Sequence, residues 1–349
     1  MTDLTAVGVH VFAGGFSLGI GPYFTVTDHL EGAATWERTV KHNLPTVRQW
    51  NPKTQWPVDR LRKDPPALLY ANPPCAPFSS IGGRSFGRHW SVDPRLGCWE
   101  DVVGLVEVVR PTVVLSESVP AIESYGKPFL DTVVRRLGDA GYGVTVVRHN
   151  AKFYGLPQSR QRTMVVASLV RLDWPLPLPV RVTVGDALVG LADPGLIGRT
   201  PEYWEELLPA VLPGEKLRSA IARLGLTPPA GGKVNFISAK LDPTTVAGAI
   251  VRSSLYHWTE PRRLGLNEFK RLSGYPDDFE LIPPEPKFLF QAVLPPVARW
   301  FSGVAHAGIT RGAPSDTGGP VVLSVLARGR ARNDFSVCVE ERPYEFGVG

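Results

Sequence analysis

A chain of 349 residues can bury one large core and a smaller appended one, so one or two domains are expected. Its three cysteines, Cys75, Cys98 and Cys338, are too few and too scattered for a disulfide framework or a C-x-x-C metal site, and no apolar run is long enough to span a bilayer. A formal charge of +5 and a pI near 9.1 allow a polyanionic partner without requiring one.

In chain order, "MTDLTAVGVHVFAGG" lacks the basic start of a secretory signal, so a reducing cytoplasm is the expected setting. Within it "VGVHVF" reads as a buried strand running into glycines. "GAATWERTVKHN" has helical spacing and "ALLYA" is a short apolar strand. After these come "CWEDVVGLVEVV" as helix, "TVVLSES" as strand, "FLDTVVRRLGDAGY" as helix, and "GVTVVRHN" and "RTMVVASLV" as strands. That rhythm predicts a doubly wound α/β sheet with helices on both faces. From Leu172 the text turns proline-rich ("WPLPLPVRV") and stays irregular to about Glu260, where a small inserted domain is expected. Helical spacing returns in "LGLNEFKRLSGY" and "PPVARWFSGVAHAG". The expected division is 1–174 and 261–307 for the main domain, 175–260 for the insert, and 308–349 for a linker and β-like tail.

Ligands of open α/β sheets bind at the carboxyl ends of the strands, so the residues following each strand carry the functional reading. In "VFAGGFSLG", Gly14 and Gly15 permit a tight turn beside a nucleotide-like ligand, though a packing turn reads the same way and G-x-G-x-x-G is absent. In "ANPPCAPFS", Pro73, Pro74 and Pro77 stiffen the loop that carries Cys75. A cysteine placed there, with a basic group or helix end to lower its pKa, reads as a nucleophile rather than core filling. "VVLSESVP" sets Glu117 after an apolar strand, as a cap, an ion-pair partner or a proton donor. "FYGLPQSRQRTMVV" brings Arg160 and Arg162 onto one side of a strand, where guanidinium forks suit phosphate oxygens and base carbonyls alike.

Taken in order, "FAGGFSLG", "PPCAPFS", "DPRLGCWEDVVGLVEVVRPTVVLSESV", "LDTVVRRLGDAGYGVTVVRHNAKFYGLPQSRQR" and "RRLGLNEFKRLSGYPDDFEL" resemble the successive motifs of the DNA cytosine-5 methyltransferases, from about Val7 to Ala307. The resemblance implies a Rossmann-like, S-adenosylmethionine-dependent methyltransferase sheet with a small inserted target-recognition domain. It also implies methyl transfer to C5 of a flipped-out cytosine in double-stranded DNA, in a monomer without a metal. Cys75 would be the nucleophile at C6, Glu117 the partner of the N3 and amine edge, and Arg162 the contact to O2, with Arg160 supporting the pocket or a phosphate. Phe12, Ala13, Gly14, Gly15, Pro74, Gln291 and Val293 would surround the cofactor. Asp28 is preferred for its ribose hydroxyls, with Glu31 second. Ser79, Lys233, Asn235 and Lys240 would contact DNA.

The chain departs from the family pattern in four places. The glycine loop looks shorter than Phe-x-Gly-x-Gly-Gly, Ser118 replaces asparagine, Ala76 replaces glutamine, and Phe290 and Gln291 replace the closing Gly-Asn. Changes at both the loop and the closing segment leave a substituted sulfonium donor as an alternative. RNA methylation and a catalytically silent nucleic-acid-binding relative are two others on the same scaffold.

Overall fold

The computed structural model describes residues 3–32, 34–79, 89–177, 180–227, 234, 238–251, 254–315, 319–327 and 335–347. Its strands are β1 (Thr5–Val9), β2 (Thr25–Leu30), β3 (Arg48–Trp50), β4 (Leu68–Ala71), β5 (Val113–Ser118), β6 (Gly143–Asn150), β7 (Gln158–Ser159), β8 (Gln161–Ser168), β9 (Ala239–Lys240), β10 (Ala247–Gly248), β11 (Leu255–Tyr256), β12 (Val321–Ala327) and β13 (Val337–Pro343). The helices are α1 (Gly15–Ile20), α2 (Glu37–Asn43), α3 (Val58–Lys63), α4 (Gly97–Val109), α5 (Lys127–Asp139), α6 (Val184–Leu188), α7 (Glu202–Leu207), α8 (Leu217–Arg223), α9 (Leu266–Leu272), α10 (Lys287–Gln291) and α11 (Pro295–Arg311).

Nine strands form one sheet in the order β13-β12-β6-β8-β5-β4-β1-β2-β3. β4 and β5 are buried at every position, as strands covered on both faces must be, and their near-continuous apolar sequences follow from that. One face is packed by α3, α4 and α5, through residues such as Leu61, Trp99, Val106 and Leu130. The other is packed by α1 and α11, through Phe16, Ile20, Val297 and Phe301. The doubly wound sheet read from the strand and helix rhythm is therefore the observed architecture, and among the described residues no helix is long and apolar enough to cross a membrane.

Within the inserted region, Leu207, Leu208, Val211, Leu217, Ala220, Ile221 and Tyr256 build a small core of their own. A third cluster joins α6, α9 and α10 to Ala13 of the loop after β1, through Phe269, Tyr275, Phe288 and Phe290.

The segment after Gly308 corrects one expectation. Helix α11 continues to Arg311 and stops where Gly312 takes φ +69°, a left-handed cap. The tail then returns to the sheet. β12 runs parallel to β6, with Val321–Ser324 beside Thr145–Arg148, and β13 adds an antiparallel edge. Tyr344 Oη donates to Asp131 Oδ1 at 2.7 Å and the Gly347 N–H to Asp131 Oδ2 at 2.9 Å, which fastens the end of the chain to α5. The physical reason lies in "VVLSVLA", whose Val322, Leu323 and Val325 bury against both faces of the sheet while covering the open edge of β6.

Candidate active site

Parallel pairing of β1 with β4 and of β4 with β5 brings the carboxyl ends of these strands to one edge. There the proline-framed loop leaves β4. Pro73, Pro77 and Phe78 are buried, and Phe78 packs 5.5 Å from Phe129 in the slot left by Gly126, where a Cβ would lie 2.5 Å from the Phe78 ring. The Phe78 N–H returns to Cys75 O at 3.1 Å and the Ser79 N–H to Ala76 O at 3.2 Å, so Cys75 rides on a closed turn anchored at both ends. Burial pushes its thiol above the ordinary value, with Arg162 the strongest opposing influence. The lowered thiol pKa expected from sequence is not found, because desolvation outweighs the guanidinium.

Glu117, the penultimate residue of β5, is 3% exposed. Its Oε1 lies 3.1 Å from Arg162 Nε, and its Oε2 accepts from Asn72 Nδ2 at 2.9 Å. Burial raises the carboxyl pKa, against the pull of Arg162, Arg160 and Asn72. Arg162 stands near the start of β8, which runs antiparallel to β5, so register alone delivers its guanidinium to Glu117. A half-buried thiol, a carboxyl poised toward its neutral form and a guanidinium thus meet at one sheet edge.

Arg160 does something else. Fully buried, it donates from Nη1 to Phe290 O at 2.8 Å and Ile250 O at 3.4 Å, and from Nη2 to Ala292 O at 3.4 Å. Its donors are committed to tying the inserted region and the closing segment to the sheet, which excludes the phosphate contact allowed from sequence and makes it a positioning residue.

Toward the neighbouring strands the expected cofactor residues divide. Gly14 has φ +89°, the left-handed region that favours glycine, and a Cβ on Gly15 would collide with the Tyr275 hydroxyl and lie 2.7 Å from Val293 O. Ala13 and Val293 are buried, Phe12 and Pro74 are half-buried, and Gln291 is exposed. Asp28 is not where a ligand could use it. It lies within β2, fully buried, bound by Arg48 Nε at 2.9 Å and Nη2 at 3.0 Å, by Trp50 Nε1 at 2.6 Å and by Arg60 Nη2 at 2.7 Å. Burial would raise its pKa, but the hydrogen bonds from Arg48, Trp50, Thr27 and Arg60 win and hold it well below the usual carboxylate range. Glu31, directly after β2, is the acid that reaches the loop: its Oε1 accepts from the Val11 N–H at 2.7 Å, and burial lifts its pKa to about 8. Charge pattern alone could not separate the two; the partners on β3 and α3 do.

Among the DNA contacts expected from sequence, Ser79 is half-buried at the end of the Cys75 turn, while Lys233 and Asn235 lie outside the described residues. Lys240 is buried and its Nζ donates to Leu208 O at 2.9 Å and Val211 O at 3.0 Å, closing the small core of the insert rather than facing a ligand.

The C-5 cytosine-specific DNA methylase family pattern matches residues 17–185. Among curated proteins, the chain is 29% identical over 223 residues to the type II methyltransferase M.AplI of Arthrospira platensis, covering 62% of this chain and 61% of that one. It is 26% identical over 230 residues to M.MspI of Moraxella sp., covering 61% and 48%.

Residues 17–185 are thus similar to the cytosine-5 DNA methylases.

Among solved structures, the Entamoeba histolytica methyltransferase EhMeth aligns with a TM-score of 0.65 at 13% identity, over 88% of this chain and 99% of its own. The S. pombe Dnmt2 methyltransferase aligns at 0.55 and 13%, over 88% and 99%. These two agreements establish the fold. The chain spans about three fifths of the length of the curated relatives M.AplI and M.BbvI.

Against the family pattern the glycine loop proves to be altered, not shortened. Counted back from Gly14–Gly15, Phe12 stands at the first glycine of Phe-x-Gly-x-Gly-Gly and His10 at the phenylalanine. His10 and Phe12 hold φ +53° and +55°, so the turn keeps its backbone at positions where a side chain is strained. Phe12 rests 5.5 Å from Trp36, which meets Phe288 at 4.4 Å. His10, a residue the sequence reading passed over, is buried with its ring 3.7 Å from Asp101 and 4.0 Å from Glu31. The second departure also changes meaning, because Phe290 turns its ring 5.1 Å from Phe269 into the α9 core and only its carbonyl serves Arg160.

Proposed function

We propose that this protein methylates C5 of cytosine in double-stranded DNA through a covalent Cys75 adduct. The observation that carries the reading is the meeting of Glu117 with Arg162 at 3.1 Å beside the Cys75 turn, on adjacent strand ends. Cytosine C5 is a poor nucleophile. Adding a thiolate to C6 makes the ring an enamine whose C5 attacks an electrophile. Cys75 in this reading forms the S–C6 bond, Arg162 meets the O2 carbonyl, and Glu117 hydrogen-bonds N3 and the exocyclic amine, favouring protonation of the ring as the thiolate adds. Arg162 and Arg160 are the groups that favour the thiolate against its burial. Release needs the C5 proton removed by a base or water and the S–C6 bond broken, which returns the thiolate. Since C6 is shielded in a stacked duplex, the base must be swung out.

The residues present fit S-adenosylmethionine: Gly14 takes the left-handed backbone that a tight glycine turn after β1 needs, and Glu31, directly after β2, is a buried acid where ribose hydroxyls are held. When bound, that cofactor supplies a methyl group on a positively charged sulfur. Glu31 rather than Asp28 would take the ribose, with Phe12 and Val293 lining the site.

The test is to express the protein in cells lacking cytosine-5 methylation, then apply bisulfite-type sequencing and nucleoside mass spectrometry to their DNA. 5-Methylcytosine within a defined sequence is the expected result. Unmodified DNA would overturn the reading, and a heavier modified cytosine would overturn the choice of donor.

A further inference from the structure

Asn72 sits at the carboxyl end of β4, between Ala71 and the prolines that carry Cys75, and it is 2% exposed. Its backbone N–H donates to Val9 O at 3.3 Å, which fixes it to the end of β1. Its side-chain Nδ2 donates to Glu117 Oε2 at 2.9 Å. The ion pair with Arg162 makes Glu117 the acceptor of this bond, so the amide nitrogen faces it. Oδ1 then points away from the Glu117 oxygen that Nδ2 meets, is buried, and has no hydrogen-bond partner among the described residues. Buried amide oxygens almost always have a donor, so one left open beside a reactive thiol calls for a ligand that brings one.

The surroundings restrict that ligand. Glu117 Oε1 is ion-paired with the Arg162 guanidinium and Oε2 accepts from Asn72, and each carboxylate oxygen has a further lone pair for a donor. Two acceptors at one strand edge, a carboxylate and an amide oxygen, match one group carrying two hydrogens. The exocyclic amine of cytosine is such a group. Uracil and thymine place a carbonyl oxygen there, which would face two acceptors and lose hydrogen bonds to water without replacement.

Resting on the functional reading above, we infer that Asn72 Oδ1 accepts the second hydrogen of the target cytosine's exocyclic amine while Glu117 takes the first. Asn72 is thereby a base-discriminating residue, as well as the support that holds Glu117 in place.

The two roles separate in one experiment. Duplexes carry the modified sequence, found by sequencing, with 5-fluorocytosine or 5-fluorouracil at the target position opposite guanine, and formation of the denaturation-resistant adduct is timed. Asn72→Ala is expected to slow both adducts and to shrink the cytosine-over-uracil ratio by about 10-fold or more, as loss of a hydrogen bond to the discriminating group should. Asn72→Asp retains an acceptor on the base side and is expected to slow both adducts with the ratio within about 3-fold of wild type. An unchanged ratio in Asn72→Ala, with both rates lowered equally, would overturn the inference and leave only the support of Glu117. Should circular dichroism show that variant unfolded, the wild-type protein decides: a target cytosine methylated on its exocyclic nitrogen lacks one of the two hydrogens and should react at least about 10-fold more slowly, while reaction at the ordinary rate overturns the inference. Failure of the wild-type protein to form any adduct with 5-fluorocytosine would instead count against the functional reading itself.

Discussion

The two ends of the site were assembled under different constraints. At the thiol end, three neighbouring strands bring Cys75, Glu117 and Arg162 to one sheet edge by register. At the loop end, Asp28 is consumed by Arg48, Trp50 and Arg60, two side chains occupy left-handed positions, and Phe290 turns into another core. Chemistry that needs one residue type at one strand end leaves a plain record in sequence. Recognition carried by backbone shape and by buried acids does not, since two carboxylates three residues apart differ only in what lies across from them.

The contrast can be broken first at the thiol end. Glu117→Gln keeps the shape of the side chain but cannot share a proton in the same way, so the single-turnover methylation rate should fall by about 10²-fold or more while DNA affinity in a filter-binding assay is preserved. A wild-type rate would remove Glu117 from the chemistry and dissolve the difference between the ends.

The loop end is sharpened by exchanging its two acids. Titration calorimetry with S-adenosylmethionine should find Glu31→Ala weaker by roughly 10-fold, the scale of one or two lost hydrogen bonds. Asp28→Ala should bind within about 3-fold of wild type yet unfold at lower denaturant. Its ion pairs with half-exposed arginines are partly screened, so the loss should be about 1–3 kcal/mol. Because Asp28 is held below its unfolded pKa, the stability it contributes is present above about pH 4 and fades as the pH falls below that value. The opposite ranking of the two variants would restore Asp28 to the ligand.

How much of this was legible follows residue by residue. The alternation of buried strands and amphipathic helices from Val7 to Ser168 is a repeating signal, and the sheet it predicts is the one observed. The docking of β12 beside β6 was hidden, because "VVLSVLA" reads as a strand without stating which edge it covers. Lys240 looked like a DNA contact from its type alone, whereas two carbonyls of the insert's helical segment claim it. Asn72 was overlooked because asparagine before two prolines reads as a turn, and only its distance to Glu117 reveals more. Phe12 was taken for the aromatic start of a shortened loop because a non-glycine residue at φ +55° is rare enough to be discounted.

A smaller effect is expected from Gly15→Ala. The added methyl meets the Tyr275 hydroxyl and Val293 O, so stability measured by urea unfolding should drop by about 1–3 kcal/mol, with partial recovery on adding Tyr275→Phe. No loss would mean that the turn has room the contacts deny.

The smallest concerns pH. Glu31 in the ligand-free protein has a pKa raised to about 8, above its unfolded value near 4.3, so the folded state holds a proton there that the unfolded chain gives up. Its contribution is complete below the unfolded pKa and declines as pH rises toward 8, with a limiting slope of about 1.4 kcal/mol per pH unit. Glu31→Gln should therefore gain stability relative to wild type between pH 5.5 and 8, and parallel melting curves across that range would refute the raised pKa.

The most direct test of the central claim is covalent trapping. DNA carrying 5-fluorocytosine at the modified position, incubated with the protein and S-adenosylmethionine, should yield a protein–DNA adduct that survives denaturing electrophoresis, because fluorine cannot leave C5 as a proton does, and peptide mass spectrometry should place the bond on Cys75. Cys75→Ser should give none; an adduct that persists in that variant, or maps to another residue, would contradict the account.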